Sequence, residues 1–482
     1  MSEPAPTFLL KEVVEATGGV LIFGAPEIIF YGISTDSRLV NKGNLFIALK
    51  GEKYDGHDFV QKALGLGAAG VLVHDENKIN LGQLNKNVAV IKVSDTLLAL
   101  GDLAQAWRKK FSIPVIGLTG SSGKTTTKEM MAAIIGQKKN ILKTEGNLNN
   151  LIGLPQTIFQ ITNEHELVIL EMGTNTRGEI KRLTQIAAPN IGLITNIGPA
   201  HLAGFGSIEG VREEKGDLFL NMEQSGMAII NLDDECLRVI ADRWKGKRIT
   251  FGMGLNADVS VKDTKKNGAK GMCFNLIIGG KQQKVEMKIV GIHHVYNAIA
   301  AAAAAWAVGI DYETILEGLA AFRPFSGRME IINLKNGAHL LDDSYNANPS
   351  SVREALMTLK DLKNHHSCYV FLGDMLELGA ASDEMHRKVG MLMATIGVNA
   401  LFLQGDFSAV TAAGAMDGGM PAKNIYFLSG IQDGVDYLKK NLKKGDWVLV
   451  KGSRRMKMEK IVEQICADFE GEKINKRKQI TH

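Results

Sequence analysis

The stretch "GLTGSSGKTTTKEM", residues 117–130, limits what this chain can fold into more than any other part of it. The preceding "PVIGL" is apolar and β-branched and predicts a buried strand, and "KTTTKEMMAAII" predicts a helix. A strand, a Gly-rich turn and a helix N-terminus aim several backbone N–H groups at one point, where the helix dipole favours an anion. The common phosphate-loop spelling is Gly, four residues, then Gly-Lys-Ser/Thr. Here that first glycine would fall on Leu118, and Gly120 stands inside the loop instead. A Gly/Ser turn with a solvated lysine is the plain alternative, but Gly-Lys-Thr after a buried strand favours a nucleoside triphosphate. Lys124 is then expected to reach the terminal phosphates and the Thr125 hydroxyl to meet Mg²⁺.

A chain of 482 residues exceeds one ordinary core, so two or three domains are expected. Hydrophobic content of 45% and charged content of 22% describe a globular protein in water, and a net charge of +4 gives no case for nucleic acid or an anionic membrane. The basic "KINKRKQITH" reads as a solvated tail. Cys236, Cys273, Cys368 and Cys466 are far apart, which fits a reducing compartment and argues against a zinc site or a disulfide framework. The amino-terminal "MSEPAPTFLLKEVVEATGG" has no long apolar core and does not read as a signal peptide. The Ala-rich "NAIAAAAAAWAVGI" is short for a membrane span and predicts a tightly packed buried helix. A cytoplasmic protein without stable membrane association, and a monomer, is expected.

Three blocks follow along the chain, and the fold class they predict is α/β. Residues 1–107 hold short strands and turns, such as "GVLIFG", "GNLFIALKG" and "AAGVLVHD", and lead out through the helical "DTLLALGDLAQAWRKKF". Residues 108–322 open with the phosphate loop and continue with "ELVILEMGTN" and "NIGLITNIGPAH". These apolar runs end in polar residues, as parallel strands do where open α/β sheets bind ligands. Residues 323–482 repeat that rhythm in "HLLDDSYNANP", "CYVFLGDMLELG", "ALFLQGD", "NIYFLS" and "DWVLVKGSRR", and read as a second open α/β domain of Rossmann-like character.

Several residues at those strand ends carry chemistry. Glu171 follows a buried strand, where phosphate-loop proteins often hold Mg²⁺ with an acidic residue. His201 follows another strand at the same sheet end. Ser207 is placed to cap a helix whose apolar positions are Ile208, Val211, Leu218 and Phe219. Lys215 shares their stripe, while Glu213 and Glu214 do not. A lysine on an inward face is costly unless it is paired, neutral or snorkelling; spacing alone favours a stem packed inward with its head in water, while the sharper alternative is a neutral lysine that adds CO₂ to become a carbamate. "GIHHVYNAIAA" presents His293, His294 and Asn297 at a helix start; the two histidines are expected to point apart, and Asn297 to hydrogen-bond a base. Arg328 stands near the junction of the second and third blocks, and Asp343 and Asn346 at a strand end of the third. Together they suggest a nucleotide held between two domains.

Taken with the signatures "STDSR", "GNLFIALKGEKYDGHDF", "TEGNLNNLIGLP", "EMGTNTRGEI", "DDSYNANPSS", "GDMLELG" and "VKGSR", this set resembles the Mur ligases over nearly the whole chain. These are cytoplasmic ATP-dependent enzymes that add amino acids to the peptidoglycan precursor. The family's loop is spelled T-G-x-x-G-K-T, as Thr119 to Thr125 read here. The resemblance implies three domains: a small α/β domain for the UDP substrate, a central ATPase domain with a mainly parallel sheet, and a Rossmann-like ligase domain. Among family members the signatures are most similar to the ligase that joins D-alanyl-D-alanine to UDP-N-acetylmuramoyl-tripeptide. The rivals are another Mur-type ligase such as MurE, a folylpolyglutamate synthase, and, from a different class, a phosphate-loop ATPase acting as a switch or motor.

The resemblance also implies roles. Gly120, Ser121, Ser122, Gly123, Lys124, Thr125 and Thr126 would bind ATP phosphates. Thr125, Glu171, His201 and Lys215 correspond to the magnesium region, with the lysine carbamylated in several members. Lys124, Lys215, His201 and Arg328 are the candidate catalytic groups. Arg328 and Asp343 would reach phosphate and ribose from the third domain. Ser37 and Arg38 would hold the UDP end, Asn147, Asn149 and Asn150 the muramoyl peptide, and Asn346 belongs to the substrate side. The chain departs from the family at His294, where the adenine motif H-N-x-x-N has an asparagine. A neutral histidine ring does not present donor and acceptor together as an amide does, which leaves Asn297 as the better adenine contact.

Overall fold

The computed structural model of the protein describes residues 6–51, 53–254 and 256–471; the basic tail and the first five residues of the amino-terminal stretch lie outside them. Each apolar run noted above forms a strand, and the strands gather into three main sheets, making a three-domain α/β protein. The first sheet has five strands in the order Val20–Phe23, Ala89–Lys92, Gly70–Val73, Leu45–Ile47, Ile33–Ser34, parallel except at the Val20–Phe23 edge. The helix Thr96–Arg108 leads out of it, started by Asp95, whose carboxylate accepts from Leu97 N at 2.7 Å and Leu98 N at 2.9 Å.

The central sheet has nine strands in the order Ile141–Lys143, Leu167–Glu171, Val115–Thr119, Ile191–Ile194, Met227–Asn231, Lys247–Gly252, Val259–Lys266, Met272–Ile278, Lys281–Met287. The strands are parallel through Val259–Lys266, and the last two run antiparallel as a meander. Register aligns Ile194 with Thr119 and Glu171 with Leu118, so the carboxyl ends of three neighbouring strands meet at one edge. The helix Lys124–Ile135 leaves that edge and packs its Met130, Met131, Ile134 and Ile135 with the alanines of the helix Ile292–Ala307. Ala298 to Ala305 are buried without exception. Side chains that small let two helices approach closely, which brings the first turn of the alanine helix beside the phosphate loop.

The third sheet runs Glu330–Asn333, His339–Asp343, Trp447–Lys451, Cys368–Gly373, Ala400–Gln404, Ile425–Phe427, parallel after its first pair. Asp343 is in register with Lys451 at the carboxyl ends. This edge faces the phosphate loop: Asn348 Nδ2 donates to Ser121 O at 3.3 Å, and Ala203 N donates to Glu377 O at 3.1 Å. No helix among the described residues is long and apolar enough to cross a membrane.

Candidate active site

The loop between Thr119 and Lys124 is fixed by its neighbour strand. Ser121 N donates to Asn196 O and Ser122 N to Asn196 Oδ1, each at 2.9 Å, while the Thr195 hydroxyl donates to Ser122 O at 2.6 Å. Gly120 has φ +149°, and a Cβ there would stand 1.9 Å from Thr195 Oγ1; Gly123 has φ +78°, and a Cβ there would stand 2.3 Å from Asn297 Oδ1. Both positions therefore require glycine, which is the physical content of the loop's unusual spelling. Lys124 Nζ donates to Gly120 O at 2.7 Å, and burial holds its pKa below the ordinary lysine value. An ammonium curled back on its own loop is poised to exchange that carbonyl for a phosphate oxygen.

Beside it, the Thr125 hydroxyl lies 3.3 Å from Glu171 Oε1, which also accepts from Asn149 Nδ2 at 2.9 Å. Glu171 Oε2 is buried with no hydrogen bond, 3.6 Å from Lys128 Nζ. A hydroxyl and a carboxylate with an unused oxygen are hard donors of the kind Mg²⁺ takes alongside nucleotide phosphates. His201 has left-handed backbone geometry, φ +53°, and its Nδ1 lies 2.5 Å from Glu377 Oε2, without hydrogen-bond alignment.

Ser207 caps the helix Ile208–Leu220 as the sequence predicts, accepting from Gly210 N at 3.2 Å. Lys215 is 1% exposed, so its head does not snorkel to water. Among the described residues it has no hydrogen-bond or ion-pair partner, and burial together with Lys124 lowers its pKa well below the ordinary value. Two expectations for this helix are corrected. Ile208 is 40% exposed, because the first turn starts outside the core. Glu214 is buried: it accepts from Gly178 N at 2.6 Å, Ile180 N at 2.8 Å and the Thr174 hydroxyl at 3.0 Å. Its carboxylate satisfies the free N–H groups that start the helix Glu179–Ala187, and its charge opposes, without cancelling, the lowering of the Lys215 pKa.

From the third domain, Arg328 Nη2 reaches the Thr125 hydroxyl at 3.4 Å, and its guanidinium lies over the Tyr345 ring at 4.2 Å. Asp343 accepts from Lys451 Nζ at 2.5 Å, and burial raises its pKa against that pairing. Asn346 turns its Oδ1 to Ala347 N and Arg454 N, organising the loop it stands on.

One cleft of about 340 Å³ gathers Ser121 to Thr126, Asn147, Asn149, Asn150, Glu171, His201, Asn297, Arg328, Asp343 and Asn346. Lys215 and Gly120 are not among the residues that line it, and Ser37 and Arg38 are elsewhere, in the first domain. Arg38 is exposed and held by Asp36 at 2.6 Å. His293 and His294 do not point apart: their rings lie 4.0 Å apart and both line the cleft. Sequence reading did not single out Lys128, Tyr345, Lys451 or Glu354. Its place four residues after Lys124 was the available signal for Lys128, "VKGSR" the signal for Lys451 and "DDSYNANPSS" the signal for Tyr345; Glu354 carried none.

Comparison with known proteins agrees with this geometry. Residues 29–108 match the Mur ligase family catalytic domain, residues 118–305 the Mur ligase middle domain, and residues 327–454 the Mur ligase glutamate ligase domain. The UDP-N-acetylmuramoyl-tripeptide–D-alanyl-D-alanine ligase of Bacillus subtilis is 35% identical over 457 residues, covering 95% of this chain and 98% of that protein. The Escherichia coli enzyme of the same name is 35% identical over 90% of this chain and 94% of its own. Among solved structures, MurF from Acinetobacter baumannii superposes with a TM-score of 0.87 at 31% identity, covering 96% of this chain and all 100% of that one. MurF from Thermotoga maritima in complex with ADP gives a TM-score of 0.80 at 27% identity over 91% of this chain and 97% of that one.

Proposed function

The chain belongs to the Mur ligase family, and from that premise we propose that it joins D-alanyl-D-alanine to UDP-N-acetylmuramoyl-tripeptide, using ATP, in peptidoglycan precursor synthesis. The observation that carries this reading is the single cleft in which the phosphate loop, Glu171 and the third domain's Arg328 meet. A nucleotide bound there is touched by two domains, as the family's chemistry needs.

The peptide's terminal carboxylate attacks the γ-phosphorus of ATP, breaking its bond to the β-phosphate oxygen and leaving ADP and an acyl phosphate. Lys124 and Arg328 lie where they offset the charge that spreads over the transferring group. Thr125 and Glu171 would hold Mg²⁺, which when bound supplies further charge neutralisation at the phosphates. The amine of D-alanyl-D-alanine then attacks the acyl carbon, forms the amide, loses a proton and expels phosphate. Water would hydrolyse the intermediate, so the third domain's contacts with the central domain, Asn348 on the phosphate loop and Glu377 on Ala203 after His201, serve to exclude it.

Lys215 completes the proposal. An ammonium buried near Lys124 is unfavourable, since burial and the Lys124 charge outweigh the pull of Glu214. Its neutral amine adds CO₂, forming an N–C bond and releasing a proton, and the resulting carbamate carries the negative charge that the surroundings of Lys124 favour. His201 belongs to the same region. The test is product formation with ATP, UDP-MurNAc-tripeptide and D-Ala-D-Ala, each omitted in turn. UDP-MurNAc-pentapeptide and ADP should form only with all three present, and brisk ATP hydrolysis with neither peptide would replace this reading with a switch or motor.

A further inference from the structure

Two polar groups in the cleft have no task in the mechanism above. His294 is 3% exposed, and its Nδ1 is buried without a hydrogen bond. Burial keeps that ring neutral, with its pKa well below the ordinary value. Glu354 lines the same cleft, and among the described residues its carboxylate makes no hydrogen bond or ion pair. Burial pushes its pKa up to about 7, against the pull of Lys451.

Their positions follow from the start of the helix Ile292–Ala307 lying against the middle of the helix Pro349–Lys363. Ser351, Glu354 and Thr358 fall on one stripe of the helix Pro349–Lys363. Thr358 stands over Gly291, where a Cβ would come within 2.8 Å of its Oγ1, and Gly291 caps the helix that carries His293 and His294. Glu354, one turn earlier, therefore faces the cleft beside the two rings. Lys451 ties this corner together, since its charge acts on both His293 and Glu354.

The order of groups along the cleft fixes what reaches this corner. Lys124 and Thr125 mark the phosphates. Asn149 and Glu171 lie on one side of Thr125, through hydrogen bonds; on the other, Arg328 reaches Thr125, its charge acts on Asp343 and His294, and Lys451 links Asp343 to Glu354. With the acceptor carboxylate arriving from the asparagine side, an in-line attack leaves the nucleoside on the side of Asp343, Lys451, Glu354 and His294. A carboxylate accepts and does not donate, so it favours a base edge that offers N–H.

We propose that Glu354 is a base-selecting residue of the nucleotide site, its carboxylate accepting a hydrogen bond from the exocyclic 6-amino group of adenine while the His294 ring contacts the same base. The inference rests on the ligase reading for the presence of a nucleotide. Inosine diphosphate carries a carbonyl in place of that amino group and would set an acceptor against an acceptor. The test is titration of the full-length protein with Mg²⁺ and ADP, inosine diphosphate or 2′-deoxy-ADP, at pH 8 where the carboxylate is ionised. Wild type should prefer ADP over inosine diphosphate by roughly ten- to a hundredfold, the scale of one hydrogen bond to a charged group. In Glu354→Ala that ratio should fall toward one, through weaker ADP binding. In the isosteric Glu354→Gln, whose amide can turn to donate, it should fall as well, at an unchanged melting temperature. An unchanged ratio in both variants overturns the proposal. So does a collapse of the ADP to 2′-deoxy-ADP ratio alone, which would place Glu354 at the ribose. A wild type that binds none of the three overturns the nucleotide reading itself.

Discussion

At the scale of the residue, two lysines divide the work. Among the described residues Lys124 makes one side-chain hydrogen bond, to its own loop, so removing it should touch the reaction and not the fold. Lys124→Ala should lower steady-state turnover by at least about a hundredfold, typical of losing one such charge-stabilising group, with the melting temperature little changed. Lys215 is the reverse case, a cation in a place that disfavours cations. Lys215→Ala should be nearly inactive and partly rescued by acetate, and protein equilibrated with ¹³CO₂ should show a carbamate carbon resonance that the alanine variant lacks. The sign of the pH effect follows from the depressed pKa. Unfolded lysine keeps its proton up to about pH 10.4, whereas the folded one gives it up earlier. Between those points the unfolded chain binds more protons, so CO₂-stripped enzyme should grow more stable as pH rises. Lys215→Met should flatten that slope in urea unfolding across pH 6 to 9, and an equal slope in both proteins would contradict the burial of the charge.

At the scale of the element, what was legible in the sequence is what local pattern encodes. Buried parallel strands are apolar runs that end in polar residues, so Val115–Thr119, Leu167–Glu171 and Ile191–Ile194 could be read with their edge chemistry attached. The meander Val259–Met287 was not, because "KQQKVEM" and its neighbours alternate too weakly to stand out from loop. Nor was Glu214: its partners Gly178 and Ile180 lie 36 and 34 residues away, and no helical spacing predicts a cap supplied by another helix. Glu214→Ala should leave those N–H groups unpaired and destabilise the protein by about 1–3 kcal/mol, measured by denaturant unfolding, and Glu214→Gln should recover part of it. The phosphate loop itself allows a sharper test. Gly120→Ala brings a Cβ against Thr195 at a φ that L side chains rarely adopt. Titration with ADP should show affinity falling at least about tenfold, since the loop amides no longer converge; unaltered affinity would mean the loop is not where the phosphates sit.

At the scale of the whole molecule, the cleft exists because the carboxyl edges of two parallel-rich sheets face each other. Asp343 beside Lys451 on one and Thr119 near Glu171 on the other are far apart in sequence, and only their common position at strand ends announced that they share a site. The depth of the third domain's contribution, including Tyr345 under Arg328 and Glu354 in the same cleft as the histidines, depends on how the domains dock. No local pattern carries that information. The central claim is that this architecture transfers the γ-phosphoryl group to a carboxylate and shields the product from water. It is tested most directly by labelling both oxygens of the peptide's terminal carboxylate with ¹⁸O and running one round of ligation in ordinary water. The account predicts one ¹⁸O atom in each phosphate released, because the bridging oxygen of the acyl phosphate leaves with phosphorus. Unlabelled phosphate accompanying product would contradict it, since phosphorus would then have gone to water and not to the carboxylate.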